Sequence, residues 1–402
     1  MISRLLVAAA AVVIAVSSAP AQTGRAAVDA VLSGAVTRGE VPGVVAIAAT
    51  RRDVIYQGAF GVADLPSRRP LQTDSIFRIA SMTKPVTSVA LMQLVEAGRL
   101  RLDDPASKYL PELADVKVFE RYDARTGAYT VRPATKAITV RHVLTHTAGF
   151  GYGFTSPIVR DFKPRDGEQY AAGPLLFEPG EQWLYGSGST WAGRLVETLS
   201  GQSLEAYYRE RIFTPLGMRD TFYNIPEDRR GRVVTVHRRE TDGTLSVNQT
   251  QPPFTIARPI GDGGLSSTAA DYARFLQMLL NGGALGGARV LSSETVALMG
   301  QNHIGSLTMP DLKSAIPAQS NDFAFGPGDK FGLGFHITGV QQPGRRSAGG
   351  LMWGGINNTY FWVDPARGVA GAILMQFLPF ADPRALALLE AFEREVYRLA
   401  GS

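Results

Sequence analysis

Strand-like runs of sequence lie towards both ends of this chain, whereas the segment between them is rich in proline, glycine and short helical patterns. A helical pattern at 25–36 precedes a predicted hairpin at 43–60, and another helical pattern covers 383–399. Further strands are predicted at Gly332–Ile337, Arg346–Trp353, Thr359–Val363 and Val369–Phe377. Strands must pair to satisfy their backbone groups, so the pattern predicts one discontinuous α+β domain formed by both ends of the chain.

The predicted domain boundaries follow from where these patterns change. Residues 22–100 and 331–402 are predicted to form the α/β domain, and residues 101–330 a mostly helical inserted domain. Within the insertion we predict helices at 140–144, 191–199 and 268–280 and a small hairpin from 117–119 and 129–131. A functional site is expected in the cleft between the two parts, because ligand sites favour such interfaces.

The composition is that of an ordinary globular protein with a mildly basic surface. Of the 402 residues, 45% are hydrophobic and 19% are charged, and the formal net charge is +5. Basic residues are interspersed with acidic ones in runs no longer than a pair, so we expect no nucleic-acid partner. Because the chain contains no cysteine, its fold depends on the core and not on disulfides.

Residues 1–21 have the pattern of a secretory signal peptide. Arg4 supplies the positive start, residues 5–16 are apolar, and Ala19-Pro20-Ala21 is an A-x-A cleavage site before Gln22. The apolar stretch is too short to cross a bilayer, and no later segment is long enough. We therefore expect a periplasmic or secreted protein that makes no membrane contact after the signal is removed.

Ser81 and Lys84 form the first candidate catalytic pair, at the start of a predicted buried helix. Residues three positions apart share one face of a helix, so the two side chains can meet. A serine hydroxyl needs a base to become a good nucleophile, and a buried lysine amine can serve as one. The motif alone is weak, because an ordinary helix start with Ser81 as its cap fits these residues equally well.

Two further blocks carry candidate site residues. Tyr185 is followed by a glycine before a helical pattern, so its phenol can project into a cleft as a general base or acid. Trp353, Gly354 and Gly355 lie at a predicted strand edge, where the glycines would let a substrate approach the backbone. The N–H of Ile356 could then be an oxyanion donor together with that of Ser81. A packed tyrosine and a strand bulge are the plain alternatives.

Other catalytic motifs are missing from the sequence. There is no G-x-S-x-G, which argues against the nucleophile elbow of α/β-hydrolases. His142 and His146 are four apart without the glutamate of a zinc protease, so they are interpreted as structural or loop residues. Phosphate-binding and dinucleotide fingerprints are also missing, and we expect neither a metal nor another cofactor.

Taken together, these blocks resemble the serine β-lactamase-like superfamily, which includes class C β-lactamases, D-Ala-D-Ala carboxypeptidases and family VIII carboxylesterases. The segment Ser81–Lys84 matches the S-x-x-K box, and Tyr185–Ser187 falls where the family has Y-x-N or Y-S-x. The segment Trp353–Gly355 matches the W-G-G that family VIII esterases have in place of K-T-G. Supporting similarity is found at 102–105, 138–149 and 263–275, and the resemblance covers nearly all of 25–400.

The resemblance implies a β-lactamase-like fold, in which an antiparallel sheet is flanked by helices and a mostly helical domain is inserted. The sequence departs from the β-lactamase pattern at two positions. Trp353 replaces a cationic Lys or His that would bind a substrate carboxylate, and Ser187 replaces an asparagine that would position Lys84 and the acylamide side chain. Both changes favour neutral esters over β-lactams and peptides.

The sequence thus predicts a secreted serine hydrolase of the family VIII type, acting on a small-molecule ester through an acyl-enzyme on Ser81. Lys84 and Tyr185 would share the base role. Candidates for an apolar substrate pocket are Phe150, Tyr152, Phe154, Trp183 and Trp353. The alternatives are a β-lactamase or D-amino-acid peptidase acting in the same fold on a β-lactam-like substrate, and a non-catalytic binding homologue. The oligomeric state is open.

Overall fold

The computed structural model describes residues 19–401, so residues 1–18 of the predicted signal lie outside the described residues. Helices α1–α5 are Ala19–Thr37, Thr83–Glu96, Val140–Thr145, Pro157–Asp161 and Gly188–Ser200. Helices α6–α10 are Leu204–Tyr208, Thr214–Leu216, Ala269–Leu280, Ser293–Met299 and Pro383–Leu399. Shorter helical turns are Ala80–Met82, Ala106–Lys108, Pro111–Leu113, Arg209–Phe213 and Glu227–Arg232.

The strands alternate with these helices along the chain. Strands β1–β9 are Gly43–Thr50, Val54–Asp64, Arg69–Pro70, Phe77–Arg78, Lys117–Tyr122, Tyr129–Pro133, His237–Arg239, Leu245–Val247 and Ser266–Ser267. Strands β10–β17 are Ala284–Leu285, Ala288–Arg289, Lys330–Phe331, His336–Ile337, Leu351–Gly355, Thr359–Asp364, Val369–Leu374 and Phe377–Leu378.

The main sheet of the described residues is antiparallel and takes strands from both ends of the chain. Its order is β12-β13-β14-β15-β16-β1-β2-β3, with eight strands. Strand β1 pairs with its hairpin partner β2 on one side and with β16 on the other, which joins the two ends of the chain. This is the arrangement that the distribution of strand-like runs predicts. The division into domains at 100 and 330 stays a prediction.

Helices cover both faces of the sheet because successive strand residues point to opposite sides. Val44, Ala46 and Ala48 of β1 are buried in a core that includes residues of α1 and α10. Val45 and Ile47 are buried in the larger core on the other face, which includes residues of α2, α5 and α8. Helix α2 is buried on nearly all sides, so it lies at the centre of the molecule.

Two predicted strands were misplaced. The predicted strand Gly332–Ile337 is a strand only at His336–Ile337, because residues 332–335 connect β12 to β13. The sequence pattern predicts a strand over Arg346–Trp353, but the strand is Leu351–Gly355. Arg346 is instead buried next to α10, where its backbone N–H and its guanidinium both donate to the Glu393 carboxylate. The sequence around Arg346 did not indicate this ion pair, because Glu393 lies 47 residues further along the chain.

The middle segment contains helices and also short strand pairs. The predicted hairpin is present as β5 and β6, but β7 pairs with β8 and β10 with β11 as well. Strands β7, β8, β10 and β11 have only two or three residues each, too few for periodicity to reveal them. Helix α5 begins earlier than predicted, at Gly188 and not at Trp191.

No helix among residues 19–401 combines the length and the apolar character that crossing a membrane requires.

Candidate active site

Ser81 lies on a tight turn that is held on several sides. The turn Ala80–Met82 follows β4, which pairs with β9, and Ile79 N–H donates to Leu265 O at 3.0 Å. Ala80 has a φ of 46°, in the left-handed region that residues with a side chain rarely adopt. Such strain persists only where the surroundings impose it, and it is frequent at functional sites.

Lys84 and Tyr185 both reach the Ser81 hydroxyl. Lys84 Nζ lies 2.9 Å from Ser81 Oγ, as the predicted helical spacing requires, and the Lys84 side chain is buried. Tyr185 Oη lies 2.7 Å from the same oxygen, although the two residues are 104 positions apart in sequence. The structure therefore brings the three predicted catalytic side chains together in one hydrogen-bonded group.

Asp262 and Tyr152 also contact Lys84. Lys84 Nζ donates to the backbone oxygen of Asp262 at 2.7 Å, and the Asp262 carboxylate accepts from Tyr152 Oη at 2.7 Å. The Tyr152 ring lies 5.3 Å from Lys84 Nζ and 5.0 Å from the Tyr185 ring. Burial and the Asp262 charge raise the pKa of Tyr152 well above its ordinary value, so this phenol stays protonated and donates.

His146 packs directly behind Tyr185, although sequence analysis treated it as a structural or loop residue. The centroid of its ring lies 5.0 Å from that of Tyr185 and 6.3 Å from that of Trp353, on which it stacks. Its Nδ1 accepts from Gly186 N–H at 3.4 Å, which leaves the other ring nitrogen to carry the proton. Burial, with a smaller effect of Lys84, lowers the pKa of His146 to about 3, so the ring is neutral at physiological pH.

Gly186 explains how Tyr185 enters the site. A Cβ at Gly186 would lie 2.2 Å from the Phe150 backbone oxygen, so only glycine fits between the two segments. Leu184 N–H donates to His146 O at 3.0 Å on the other side of the tyrosine. These contacts fix the backbone around Tyr185 before α5 begins.

Strand β14 forms the opposite wall of the site. A Cβ at Gly355 would lie 2.3 Å from Ile79 O, so this glycine permits the strand to pack against the Ser81 turn. Sequence analysis instead expected Gly355 to let a substrate approach the backbone closely. Trp353 is buried beside Tyr185, with ring centroids 5.0 Å apart, and its indole N–H is buried without a hydrogen-bond partner in the described chain.

A cleft opens between these walls, and seven of its sixteen lining residues are phenylalanine, tyrosine or tryptophan. Ser81, Tyr185, Trp353, Gly354 and Ile356 all line it, so the structure brings most of the predicted site residues together. The other lining side chains include Phe154, Thr155, Leu312, Ser320, Asn321, Phe323, Phe325, His336, Met352, Tyr360 and Phe380.

Several predicted pocket residues lie elsewhere. Ser187, Gly355, Tyr152, Phe150 and Trp183 are not among the residues that line the cleft. Ser187 precedes α5, and Gly355 and Tyr152 support the site from behind, as described above. Phe150 stacks on Trp191, and Trp183 packs against Phe325.

Sequence analysis missed Asp262, His146 and the segment 320–325. Asp262 lies between glycines at 261 and 263, and a Cβ at Gly261 would lie 2.2 Å from Ser189 O. An acidic residue between two glycines was the one feature of the sequence that could have pointed to Asp262, and it is a weak indication. The aromatic pair Phe323 and Phe325 reaches the site only through tertiary packing.

The arrangement is suited to acyl transfer. A serine hydroxyl with a lysine amine and a tyrosine phenol within hydrogen-bond distance is a pattern that can activate serine in covalent catalysis. Aromatic and aliphatic side chains form most of the lining, so a substrate seated in the cleft displaces water from the reacting group and strengthens the hydrogen bonds made there.

Comparison with known proteins shows which enzymes this chain is similar to. Lovastatin esterase of Penicillium rubens is 30% identical, over 92% of this chain and 98% of that protein. Simvastatin synthase (LovD) of Aspergillus terreus has a TM-score of 0.79 at 28% identity, over 93% of this chain and 98% of that one. EstCE1, described as a hydrolase with promiscuous acyltransferase activity, has a TM-score of 0.74 at 25% identity, over 94% of this chain and 100% of that one.

These similarities show that the chain is an enzyme of the serine hydrolase or acyltransferase type, and they confirm the α+β, β-lactamase-like fold that the sequence predicts. The family model named Beta-lactamase matches residues 28–394, which is most of the chain, and the protein therefore belongs to the Beta-lactamase family.

Proposed function

We propose that this protein is a carboxylesterase of the family VIII type that cleaves small-molecule esters through an acyl-enzyme on Ser81. The observation that carries the proposal is the position of Ser81 Oγ, 2.9 Å from Lys84 Nζ and 2.7 Å from Tyr185 Oη. The aromatic cleft and the neutral Trp353 support an uncharged substrate, because neither provides a cation for a carboxylate.

The first step is attack of Ser81 Oγ on the ester carbonyl carbon. The Ser81 proton passes to Lys84 or Tyr185, and a tetrahedral intermediate forms with a negative charge on the former carbonyl oxygen. The N–H groups of Ser81 and Ile356 are proposed to stabilise this oxygen, since both residues line the cleft. Collapse breaks the ester C–O bond, and the alcohol leaves with a proton from the same pair of bases.

In the second step, water attacks the acyl-enzyme and the acid is released. The base that gave its proton to the alcohol now removes one from this water as the water oxygen bonds to the acyl carbon. The bond between that carbon and Ser81 Oγ then breaks, and the base returns the proton to Oγ, which regenerates the free serine. An alcohol can replace water as the acceptor, and the enzyme then transfers the acyl group. The apolar lining favours this second candidate activity, as does the acyltransferase activity described for EstCE1.

An activity panel tests the proposal. Short and long p-nitrophenyl esters, a chromogenic cephalosporin and an ester mixed with an alcohol acceptor would be compared on wild type and Ser81→Ala. We expect Ser81-dependent ester cleavage and slower cephalosporin turnover. Preferred cephalosporin hydrolysis would favour the β-lactamase alternative. Failure of a fluorophosphonate to label Ser81, with no turnover of any substrate, would favour the non-catalytic one.

We also propose that the protein is exported to the periplasm or secreted, on the basis of the sequence pattern of residues 1–21. Mass spectrometry of exported, folded protein should find Gln22 as its first residue. An intact Met1 on that material would contradict the proposal.

A further inference from the structure

The cleft that contains Ser81 also has polar side chains that take no part in the proposed chemistry. Ser320, Asn321 and His336 line it together with the aromatic residues. Ser320 is 2% exposed and His336 is 5% exposed, so both are almost completely removed from bulk water. Polar groups buried in an aromatic wall are costly unless they are paired, and their partners therefore require an explanation.

His336 is held by a buried carboxylate. Its Nε2 lies 2.6 Å from Asp329 Oδ2, which also accepts from Gly326 N–H at 2.7 Å. Asp329 Oδ1 accepts from Gly339 N–H at 2.8 Å. Burial raises the pKa of Asp329, but the contact with His336 and the two N–H groups lower it by more, so the carboxylate stays ionised. It accepts from Nε2–H, and in the neutral form of the ring Nδ1 is then an acceptor.

Ser320 is the opposite case, because its hydroxyl has no hydrogen-bond partner among the described residues. Its Oγ is buried and makes no hydrogen bond within the described part of the chain. Its backbone is nevertheless fixed, since Ser320 N–H donates to Ile316 O at 3.1 Å and the residue forms a bridge to Phe380. A buried hydroxyl that lacks a partner in the described chain gains a hydrogen bond if a ligand that enters the cleft brings one.

The position of His336 in the sheet separates its ring from the nucleophile. His336 is opposite Met352, where β13 pairs with β14, and this pairing includes only Leu351 and Met352 of β14. Trp353 and Gly354 continue the same strand beyond the pairing and line the cleft with Ser81. The cleft therefore extends along β14 from the Ser81 turn to the His336 ring.

We propose that this second end of the cleft binds a hydroxyl group of the substrate, carried at a distance from the ester that Ser81 attacks. The hydroxyl would donate to His336 Nδ1 and accept from Ser320 Oγ. A ketone or a carboxylate brings no proton to Nδ1, so an alcohol group complements the pair best. This inference rests on the proposed esterase activity and specifies its substrate class as hydroxylated esters.

Matched substrates that differ by one group test the inference. One series is the p-nitrophenyl esters of ω-hydroxy acids with five to nine chain atoms, each paired with the ester in which CH3 replaces the terminal OH. A second series varies the alcohol half in the same way, as butanoate esters. In wild type we expect the hydroxylated member to have the higher kcat/KM at one chain length or more, in at least one series.

Three variants locate the preference. His336→Gln keeps an amide N–H for Asp329 but removes the Nδ1 acceptor, and Ser320→Ala removes the unpaired hydroxyl. We expect the ratio of kcat/KM for the OH and CH3 members to fall about tenfold in His336→Gln and several-fold in Ser320→Ala. The matched control is His303→Gln, since His303 lies outside the cleft; its ratio should stay at the wild-type value.

Two results would overturn the inference and leave the esterase proposal intact. The first is efficient Ser81-dependent cleavage in which the CH3 member is preferred at every length in both series. The second is an equal change of both members in His336→Gln with a lower melting temperature, which would show that the Asp329–His336 pair only holds the fold. If no ester is cleaved and a fluorophosphonate leaves Ser81 unlabelled, the esterase proposal fails and this inference fails with it.

Discussion

The two walls of the cleft are built in different ways. On one wall, Ser81, Lys84 and Tyr185 form a hydrogen-bonded group, with Asp262 adding a further acceptor for Lys84. On the other wall, Trp353 lies among aromatic rings, and its indole N–H has no partner in the described chain. From this difference we infer that the polar wall determines reactivity and the aromatic wall determines which substrates are preferred. A change on the polar wall should alter the rate for all substrates, and a change on the aromatic wall should alter their ranking.

Removing the nucleophile is the strongest test of the polar wall. Ser81→Ala should lower kcat at least about a thousandfold for every ester, because the acyl-enzyme can no longer form. The matched control is Ser88→Ala, which removes a buried hydroxyl of the adjoining helix α2 that has no hydrogen-bond partner in the described chain. Ester hydrolysis with p-nitrophenyl butyrate measures both. Near-normal turnover in Ser81→Ala would place the chemistry elsewhere.

The next test replaces the lysine by a permanent cation. Arginine stays protonated in proteins and has no free electron pair, so Lys84→Arg should be nearly as inactive as Lys84→Ala. Lys84 is 2% exposed, and a larger guanidinium must also displace its neighbours, so circular dichroism is needed to confirm folding. Recovery of a large part of the rate in a folded Lys84→Arg would show that the lysine serves as a positioning cation.

Trp353 tests the other wall. A cation here would offset the desolvation of a substrate carboxylate by about 1.5–3 kcal/mol, which corresponds to about ten- to a hundredfold in relative kcat/KM. We therefore expect Trp353→Lys to raise cephalosporin turnover relative to p-nitrophenyl butyrate by that factor. Because Trp353 is packed against Tyr185, Phe331 and His146, we would also make Trp353→His, which keeps a ring in this space.

An unchanged ratio in folded Trp353→Lys and Trp353→His proteins would count against this assignment. Selectivity would then depend on other parts of the cleft, such as the segment around Phe323 and Phe325. A general loss of activity on both substrates, without a change in their ratio, would break the proposed separation between the two walls.

The polar wall was predictable from sequence to the extent that its contacts are local. Ser81 and Lys84 are three apart, so helix geometry alone brings them together, and the Gly186 that admits Tyr185 is visible as a break before α5. Asp262 was not predictable, because it acts on Lys84 through its backbone oxygen, which any residue has.

The aromatic wall was predictable only in part. Trp353 was found through its resemblance to a family motif, and the strand that carries it began five residues later than periodicity indicated. Phe323, Phe325 and His336 belong to a segment of turns and very short strands, in which no repeat marks the side that faces the cleft. Their positions depend on long-range packing, which a local pattern does not contain.

A smaller effect should reveal whether the polar wall acts as a unit. Asp262→Asn removes the negative charge that accepts from Tyr152 and keeps the backbone oxygen that accepts from Lys84. We expect kcat/KM to fall about tenfold, with a similar loss in Tyr152→Phe, and the double variant should lose little more than either single one. Simple additivity of the two losses in p-nitrophenyl butyrate hydrolysis would show that the pair is not coupled.

The smallest expected effect concerns His146, whose ring lies between Tyr185 of the polar wall and Trp353 of the aromatic wall. Its pKa is lowered to about 3 in the folded protein, against about 6.5 in an unfolded chain. Between these two values the unfolded chain binds a proton that the folded one does not, so the free energy of unfolding decreases as the pH falls from 6.5 towards 3. One such group contributes at most ~1.4 kcal/mol per pH unit.

His146→Asn should remove this contribution while keeping the local structure. Asparagine tolerates the left-handed backbone at this position, where φ is 58°, and its side-chain oxygen can replace Nδ1 as the acceptor for Gly186 N–H. Urea unfolding at pH 4.5, 5.5 and 6.5 would give the slope for both proteins. His237 also has a lowered pKa, about 4, but it is present in both and cancels in the difference. Equal slopes would mean that His146 takes up its proton in the folded state, and that the packing between the two walls is looser than the ring contacts indicate.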